Sequence, residues 1–556
     1  MNRIFHVFFV LRISADFIFQ ASSFAAPSEY SGETPIKVVV VSGSNYEMGM
    51  QYGEQATELI VANQKTIWNL LDTQVKGGGK VLDRNALLKD IQVWTYYLEK
   101  YDLRLKDWLL GISQGCKNRG VDITYQDLVA HMVYPQEIWA RPQMPYPEET
   151  GVVSSASDKA ADLVWKGRVD TKPMSSCTAF AAEPTAAADG MPVVSITGGA
   201  FTEVKNYVIL IAFPTEGEQF VTLTYAGRVS NNGGMNSKYA WVMPASVTAP
   251  NSACASSWGV PSEVYFHYLL QYCKSPAEAV KYLDETPKGG VTGLFLFADK
   301  SNVFAYEGGS CGSEIRRPGD LSEKGFIVQA NNYNSPKMSQ YNLGAALFGD
   351  TFKRYDTVFK KLASAPSGTV GLDFARALWA ANDWYDASTD TWHTVPVPND
   401  SSNLNICYVP GNLCEGGEYQ IIQFPAQNTA YLQLGIPQGT SIEKYWPDDP
   451  KPTGEYTKWR LKDSIGGVVD AAYKDAREII RIASDSPIDG KERQALKTLL
   501  TQAKAALQSG RRAAQSATLA ARNRKETQMP LWSKACTYYA TAQLYGQMVT
   551  TKLKQK

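Results

Sequence analysis

One change of apolar period divides this chain. Up to about residue 140 the hydrophobic positions recur at helical spacing, and from Cys177 onward they recur at the spacing of strands. A short Val-rich strand over 36–41 precedes helices predicted over 48–71, 86–115 and 125–139, the first two separated by Gly77-Gly78-Gly79. A polar connector with Pro and Ser spans about 141–175. Strands are predicted over 177–182, 192–197, 207–213, 219–225 and 239–243, divided by Asp-Gly, Glu-Gly and Asn-Gly-Gly turns. A helix over 261–285 leads to strands at 292–298, 303–307 and 326–329, helices at 351–363 and 372–381, and strands near 405–409, 419–424 and 431–434. Past Pro452 the composition turns to Ala, Lys, Arg and Gln, and two or three amphipathic helices are predicted over 457–556. Runs of strands, then helices, then strands imply sheets layered with helices.

With 55 basic and 55 acidic side chains in 556 residues, no global field draws the chain to nucleic acid or to an anionic membrane surface. Residues 1–26 have the layout of a signal peptide, interrupted by Arg12 and Asp16, so a secreted or periplasmic location is expected. No later stretch has the length of apolar residues that a membrane span needs. The eight cysteines include no Cys-x-x-Cys pair, and bridges between Cys407 and Cys414 or between Cys254 and Cys273 are compatible with the spacing. Four histidines argue against a multi-His metal centre, and no metal or cofactor is expected.

Chemistry concentrates where the period changes, at Ser175-Ser176-Cys177-Thr178-Ala179-Phe180-Ala181-Ala182. A cysteine opening a buried strand is a small core thiol or a nucleophile. In the second reading its thiolate attacks the Ser176 carbonyl, the acyl group moves from nitrogen to sulfur, and water releases the preceding segment. Cys177 is left with a free α-amine, whose ordinary pKa of about 7.7–8 suits proton transfer near neutrality. Such a nucleophile needs no histidine.

The run from Cys177 to Ala182, with Ala188-Asp189-Gly190 closing a turn, resembles the start of the mature chain in the acyl-coenzyme A:6-aminopenicillanate (isopenicillin-N) acyltransferase family. That family belongs to the N-terminal-nucleophile hydrolases and is related to penicillin V acylase, bile-salt hydrolase and acid ceramidase. Tyr46-Glu47-Met48-Gly49-Met50-Gln51-Tyr52-Gly53, Leu110-Gly111-Ile112-Ser113-Gln114-Gly115 and Asp122 to Leu128 resemble its helical pro-segment. Tyr225-Ala226-Gly227, Gly233-Gly234-Met235-Asn236-Ser237-Lys238, Val328-Gln329-Ala330-Asn331-Asn332-Tyr333 and Lys353-Arg354-Tyr355 follow in the family's order. The resemblance implies an α+β fold, a four-layer αββα sandwich over 177–454, with a signal peptide (1–26), a helical pro-segment and linker (27–176) and a C-terminal helical extension (455–556). It implies self-cleavage between Ser176 and Cys177, with the two fragments staying associated. Asn331 and Asn236 match oxyanion-pocket asparagines, and Arg354 matches an Arg that lies near the nucleophile and would favour its thiolate.

One departure stands out. Penicillin V acylase-like members carry an Arg and an Asp on the second strand after the nucleophile, and Pro192 to Phe201 carries neither. Thr197 and Ser195 are candidates to replace the Asp, and Thr197, Gly198 and Gly199 are candidates to line the substrate site. The expected activity is cleavage or transfer at a linear amide of a small or medium acylated substrate. A phospholipase B-like lipid acyl hydrolase and a non-catalytic binding or scaffold protein of the same fold are the alternatives, and a homo-oligomer is compatible with either. His267 reads as a helix-core histidine, and the aromatic group Trp384, Tyr385, Trp392 and His393 as packing.

Overall fold

A computed structural model describes residues 30–73, 84–139, 146–153, 176–199, 204, 206–244, 258–289, 293–342, 349–381, 383–394, 419–435, 454–488, 493–523 and 528–554. The chain runs β1 (Lys37–Gly43), α1 (Asn45–Thr73), α2 (Arg84–Tyr101), α3 (Leu103–Asn118), α4 (Tyr125–Trp139), β2 (Ser176–Ala182), β3 (Val193–Gly199), β4 (Tyr207–Pro214), β5 (Phe220–Tyr225), β6 (Gly233–Asn236) and β7 (Ala240–Val242). Next come α5 (Ser262–Gln271), α6 (Pro276–Glu285), β8 (Leu294–Ala298), β9 (Val303–Gly309), β10 (Gly312–Arg316), β11 (Phe326–Gln329), α7 (Pro336–Ser339), α8 (Gly349–Ser364) and α9 (Leu372–Trp379). A hairpin of β12 (Asp383–Asp386) and β13 (Thr391–Thr394) precedes β14 (Tyr419–Phe424), β15 (Thr429–Leu434), β16 (Tyr456–Arg460), α10 (Ile465–Asp485), α11 (Arg493–Arg522) and α12 (Gln528–Lys554).

The strands form an eight-stranded sheet, β1-β4-β5-β6-β7-β8-β9-β10, and a six-stranded sheet, β11-β2-β3-β14-β15-β16. Alternation along β2 and β3 gives the six-stranded sheet two distinct faces. Cys177, Ala179, Ala181, Val194 and Ile196 join the core shared with the other sheet, where β2 and β3 meet β7 and β8. Phe180, Ala182 and Val193 face the opposite way, against Val358 and Leu362 of α8 and Trp379 of α9. No described helix is long and apolar enough to cross a membrane.

Where the observed elements differ from the expected ones, a local cause is visible. The helix predicted over 86–115 is two helices, because Asp102 leaves helical geometry and its carboxylate accepts from Leu105 N as the cap of α3. The helix over 261–285 breaks at Ser275, which caps α6 ahead of Pro276. β16 replaces the start of the predicted C-terminal helix and pairs antiparallel with β15, so the segment beyond 454 supplies a strand to the sheet. The strand predicted near 405–409 lies outside the described residues, as do most of the connector and the leader. Cys273 is a buried free thiol, which excludes the pairing with Cys254. Cys311, in the turn between β9 and β10, is disulfide-bonded.

The described residues before 140 pack onto the sheets. β1 pairs in parallel with β4, and α1 crosses α3 at Gly49, Gly53, Gly111 and Gly115. A Cβ at any of these four would come within 2.1–2.3 Å of a carbonyl oxygen of the opposite helix, so only glycine permits the contact. In α4, Pro135 lacks the N–H that would bond the carbonyl of His131 four residues earlier. Arg228, just past β5, supplies the donor instead, with Nε and Nη2 reaching His131 O at 3.0 and 2.8 Å.

The C-terminal helix α12 spans the edges of both sheets. Ser533 and Thr537, one turn apart, each accept from and donate to the backbone of β1, at Val40 (2.8 and 3.2 Å) and Val38 (3.0 and 3.3 Å). Further along, Gln543 accepts from Lys458 N at 2.8 Å and Gln547 donates to Tyr456 O at 2.6 Å on β16. Four side chains thus stand in for the neighbouring strand that each edge lacks.

Candidate active site

Cys177 is held at the N-terminal end of β2 with Thr178 facing the helices and its own side chain facing the other sheet. Across the ladder, Cys177 is in register with Gly198 of β3, and a Cβ at 198 would lie 3.1 Å from Cys177 Sγ and 2.5 Å from Tyr419 Oη. The missing side chain leaves the space in which thiol and phenol stand beside each other. Burial pushes up the other free thiols among the described residues, Cys116 to about 11 and Cys273 and Cys536 to about 12.

Three of the residues singled out from the sequence meet here, all nearly excluded from solvent: Cys177 at 1% exposure, Arg354 at 2% and Asn331 at 3%. In the unbroken chain the nitrogen of Cys177 is a peptide N–H, occupying the position of the α-amine that cleavage would create. It donates to Asn331 Oδ1 at 3.2 Å. Arg354 reaches in from α8, with Nη2 donating to the same Oδ1 at 2.8 Å and Nη1 to Cys177 O and Thr178 Oγ1 at 2.5 and 2.8 Å. With Oδ1 fixed by two donors, Asn331 Nδ2 turns to Pro244 O at 3.3 Å, so the orientation of the amide is set.

Two elements position these groups. Asn331 lies two residues past the end of β11, which pairs with β2, and its N–H donates to Thr351 Oγ1 at 2.9 Å, one turn before Arg354 on α8. The aromatic hairpin braces α8: Tyr385 N donates to Thr357 Oγ1 at 2.9 Å, Lys361 pairs with Asp383 at 2.7 Å, and Lys353 lies over the Trp384 ring at 4.3 Å. The sequence singled out Arg354 and missed Thr351, although a Thr three residues before the Arg shares its helix face.

Other expected site residues are placed elsewhere. Asn236 spends its whole amide on structure, donating to Leu270 O and Cys273 O and accepting from Lys238 N and Tyr239 N, so it has no free N–H for an oxyanion. Thr197 lies on the helix-facing side of β3, in register with Thr178, and its buried Oγ1 has no hydrogen-bond partner. Ser195 bonds Ile421 O and Trp379 Nε1. Neither takes the place of the absent Asp; Asn331 Oδ1 receives the Cys177 nitrogen instead. Gly199 is in register with Ser176, at the expected cleavage position. His267 is fully buried, with Nδ1 2.5 Å from Asp102 Oδ2 and Nε2 3.1 Å from Gln271 Oε1, a carboxylate–imidazole pair separated by 165 residues in sequence. Among the described residues no group of three or more His, Cys, Asp or Glu side chains could hold a metal ion.

No protein-family model matches the sequence, and no curated protein does. Solved structures that align with it include two variants of conjugated bile acid hydrolase from Clostridium perfringens. They are 8% and 9% identical over 53% of this chain and 91% of theirs, with TM-scores of 0.24 and 0.23. Overlap at that level establishes neither a common fold nor a common activity, and the functional reading rests on the residues around Cys177.

Proposed function

We propose that the chain is a self-processing cysteine hydrolase or acyltransferase of the N-terminal-nucleophile kind, acting on the linear amide of a small or medium acylated substrate. The observation that carries the reading is the convergence of Asn331 and Arg354 on the backbone of Cys177. On this reading the two facing sheets with helices outside them are the αββα sandwich of such enzymes. In maturation, Cys177 Sγ bonds to the Ser176 carbonyl carbon, the 176–177 C–N bond breaks, and the departing nitrogen takes the thiol proton. Water then hydrolyses the thioester, freeing the Ser176 carboxylate and regenerating the thiol. In turnover the new amine accepts the thiol proton and returns it to the leaving amine of the substrate. Asn331 Oδ1 holds the amine, Arg354 holds Asn331, and the second N–H of Asn331 Nδ2, beside the one given to Pro244 O, donates to the developing oxyanion. Asn236 has no part in it. Integration of β1 and α1–α4 into the body keeps the severed segment attached.

Intact-mass measurement of the purified chain beside Cys177→Ala tests this. Two fragments meeting at 176/177 are expected for the wild type and one unbroken chain for the variant. A wild type that stays whole, and is inert toward acylated amides, rejects the enzymatic reading in favour of a non-catalytic binding protein.

A further inference from the structure

The loop that carries Asn331 is held by a buried ion network between the two sheets. Arg316, at the end of β10, is 1% exposed. Its Nε lies 3.2 Å from Glu307 Oε1 on β9, and Nη1 pairs with Glu323. The remaining nitrogen, Nη2, crosses to the other sheet, donating to Val328 O at 2.7 Å and to Gln329 Oε1 at 3.1 Å on β11. Gln329 then donates through Nε2 to Asn332 O at 2.5 Å and Ala330 O at 3.2 Å, the two carbonyls flanking Asn331. The second oxygen of Glu307 accepts from Asn334 N, Ser335 N and Ser335 Oγ at 2.9, 2.9 and 2.8 Å, which ties down the far end of the same loop. Glu323 also accepts from Tyr355 Oη at 3.5 Å, on the residue next to Arg354.

Burying three charges is expensive, and well-packed apolar side chains would stabilise a core at least as well. The bonds of this network go to the backbone on either side of Asn331. We propose that Glu307, Arg316 and Gln329 are positioning residues that set the Asn331 amide against Cys177. The inference rests on the functional reading above and adds residues outside the site to it. Glu307 is the decisive member, because one carboxylate oxygen serves Arg316 while the other serves the loop; an isosteric amide can satisfy only one of these demands.

The test is a double-mutant cycle on cleavage at 176/177, followed by mass spectrometry at several pH values. Glu307→Gln is expected to slow cleavage about tenfold or more in the wild-type background and less than about twofold in Asn331→Ala, because a residue acting through Asn331 has nothing left to position. Asp102→Asn, which disturbs another buried ion pair, serves as the control for lost stability and is expected to leave the rate within about twofold at temperatures where it remains folded. Equal slowing of both backgrounds by Glu307→Gln, or equal slowing by Asp102→Asn, overturns the inference while leaving the functional reading intact. Hydrogen exchange in a Cys177→Ala chain, which cannot react, decides the positional claim without the reaction. Glu307→Gln is expected to accelerate exchange over 329–335 and leave 37–43 unchanged, and an unaltered 329–335 segment overturns the inference. Failure of the wild type to cleave rejects the functional reading, and the exchange result then decides the positional claim alone.

Discussion

Gly198 stands directly across the β2–β3 ladder from Cys177, and a methyl group on its Cα would lie 3.1 Å from Cys177 Sγ. Gly198→Ala is therefore expected to crowd the thiol and displace Tyr419, whose hydroxyl would be 2.5 Å from the new carbon. Misplacement of reacting atoms on this scale costs about tenfold to a hundredfold in rate. A time course of fragment appearance checks it, and a variant that splits as fast as the wild type shows that the thiol does not need this space.

Arg354 makes three hydrogen bonds with two nitrogens, to Cys177 O, Thr178 Oγ1 and Asn331 Oδ1. Lysine keeps the charge and loses the fork. Arg354→Lys is expected to slow cleavage by about two orders of magnitude and to cost about 2–4 kcal/mol of stability, because buried acceptors lose their donors. Chemical denaturation beside the cleavage assay separates the two effects; full activity in the lysine variant would reduce Arg354 to a charge.

His131 is buried with both ring nitrogens unpartnered, and burial, reinforced by Arg228, holds its pKa well below the ordinary 6.5. As pH falls below 6.5 the unfolded chain binds a proton on this ring and the folded chain does not, so stability present above that pH is lost on acidification. The slope from this one group approaches about 1.4 kcal/mol per pH unit. His131→Leu is expected to flatten the acid limb of the denaturation midpoint against pH without lowering stability at pH 8. Parallel limbs in the two proteins would show the ring to be protonated in the fold.

The same substitution has opposite signs at two glycines. Gly111→Ala drives a methyl to 2.2 Å from Tyr46 O and must push α1 and α3 apart, at a cost of about 1–3 kcal/mol. Gly466→Ala, in the first turn of α10 with nothing within 4 Å, is expected to gain about 0.5–1 kcal/mol. Denaturation of both variants measures the contrast, and equal shifts would contradict the close crossing.

Part of this arrangement was legible in local sequence and part through the resemblance. The period change at Cys177 marks where β2 begins, and the motif order carries Asn331 and Arg354, which the fold brings to the Cys177 backbone. What escaped depends on which partners claim each side chain. Asn236 is the residue type an oxyanion pocket uses, yet its amide is claimed by carbonyls 34 and 37 residues away. Asp102 and His267 look unrelated until α3 and α5 meet. β16 is only five residues long, and its strand formers Tyr456, Thr457 and Trp459 are outweighed in the composition by the helix formers that follow.

The side chains of Ser533, Thr537, Gln543 and Gln547 have a consequence for anyone trimming the molecule from its C-terminal end. A fragment ending at residue 454 would retain Cys177, Asn331 and Arg354, yet it would lose the helix that seals β1 and the whole of β16. The raw borders of two sheets would then be open to strands of other copies, and such a fragment would be lost to precipitation for reasons unrelated to its chemistry.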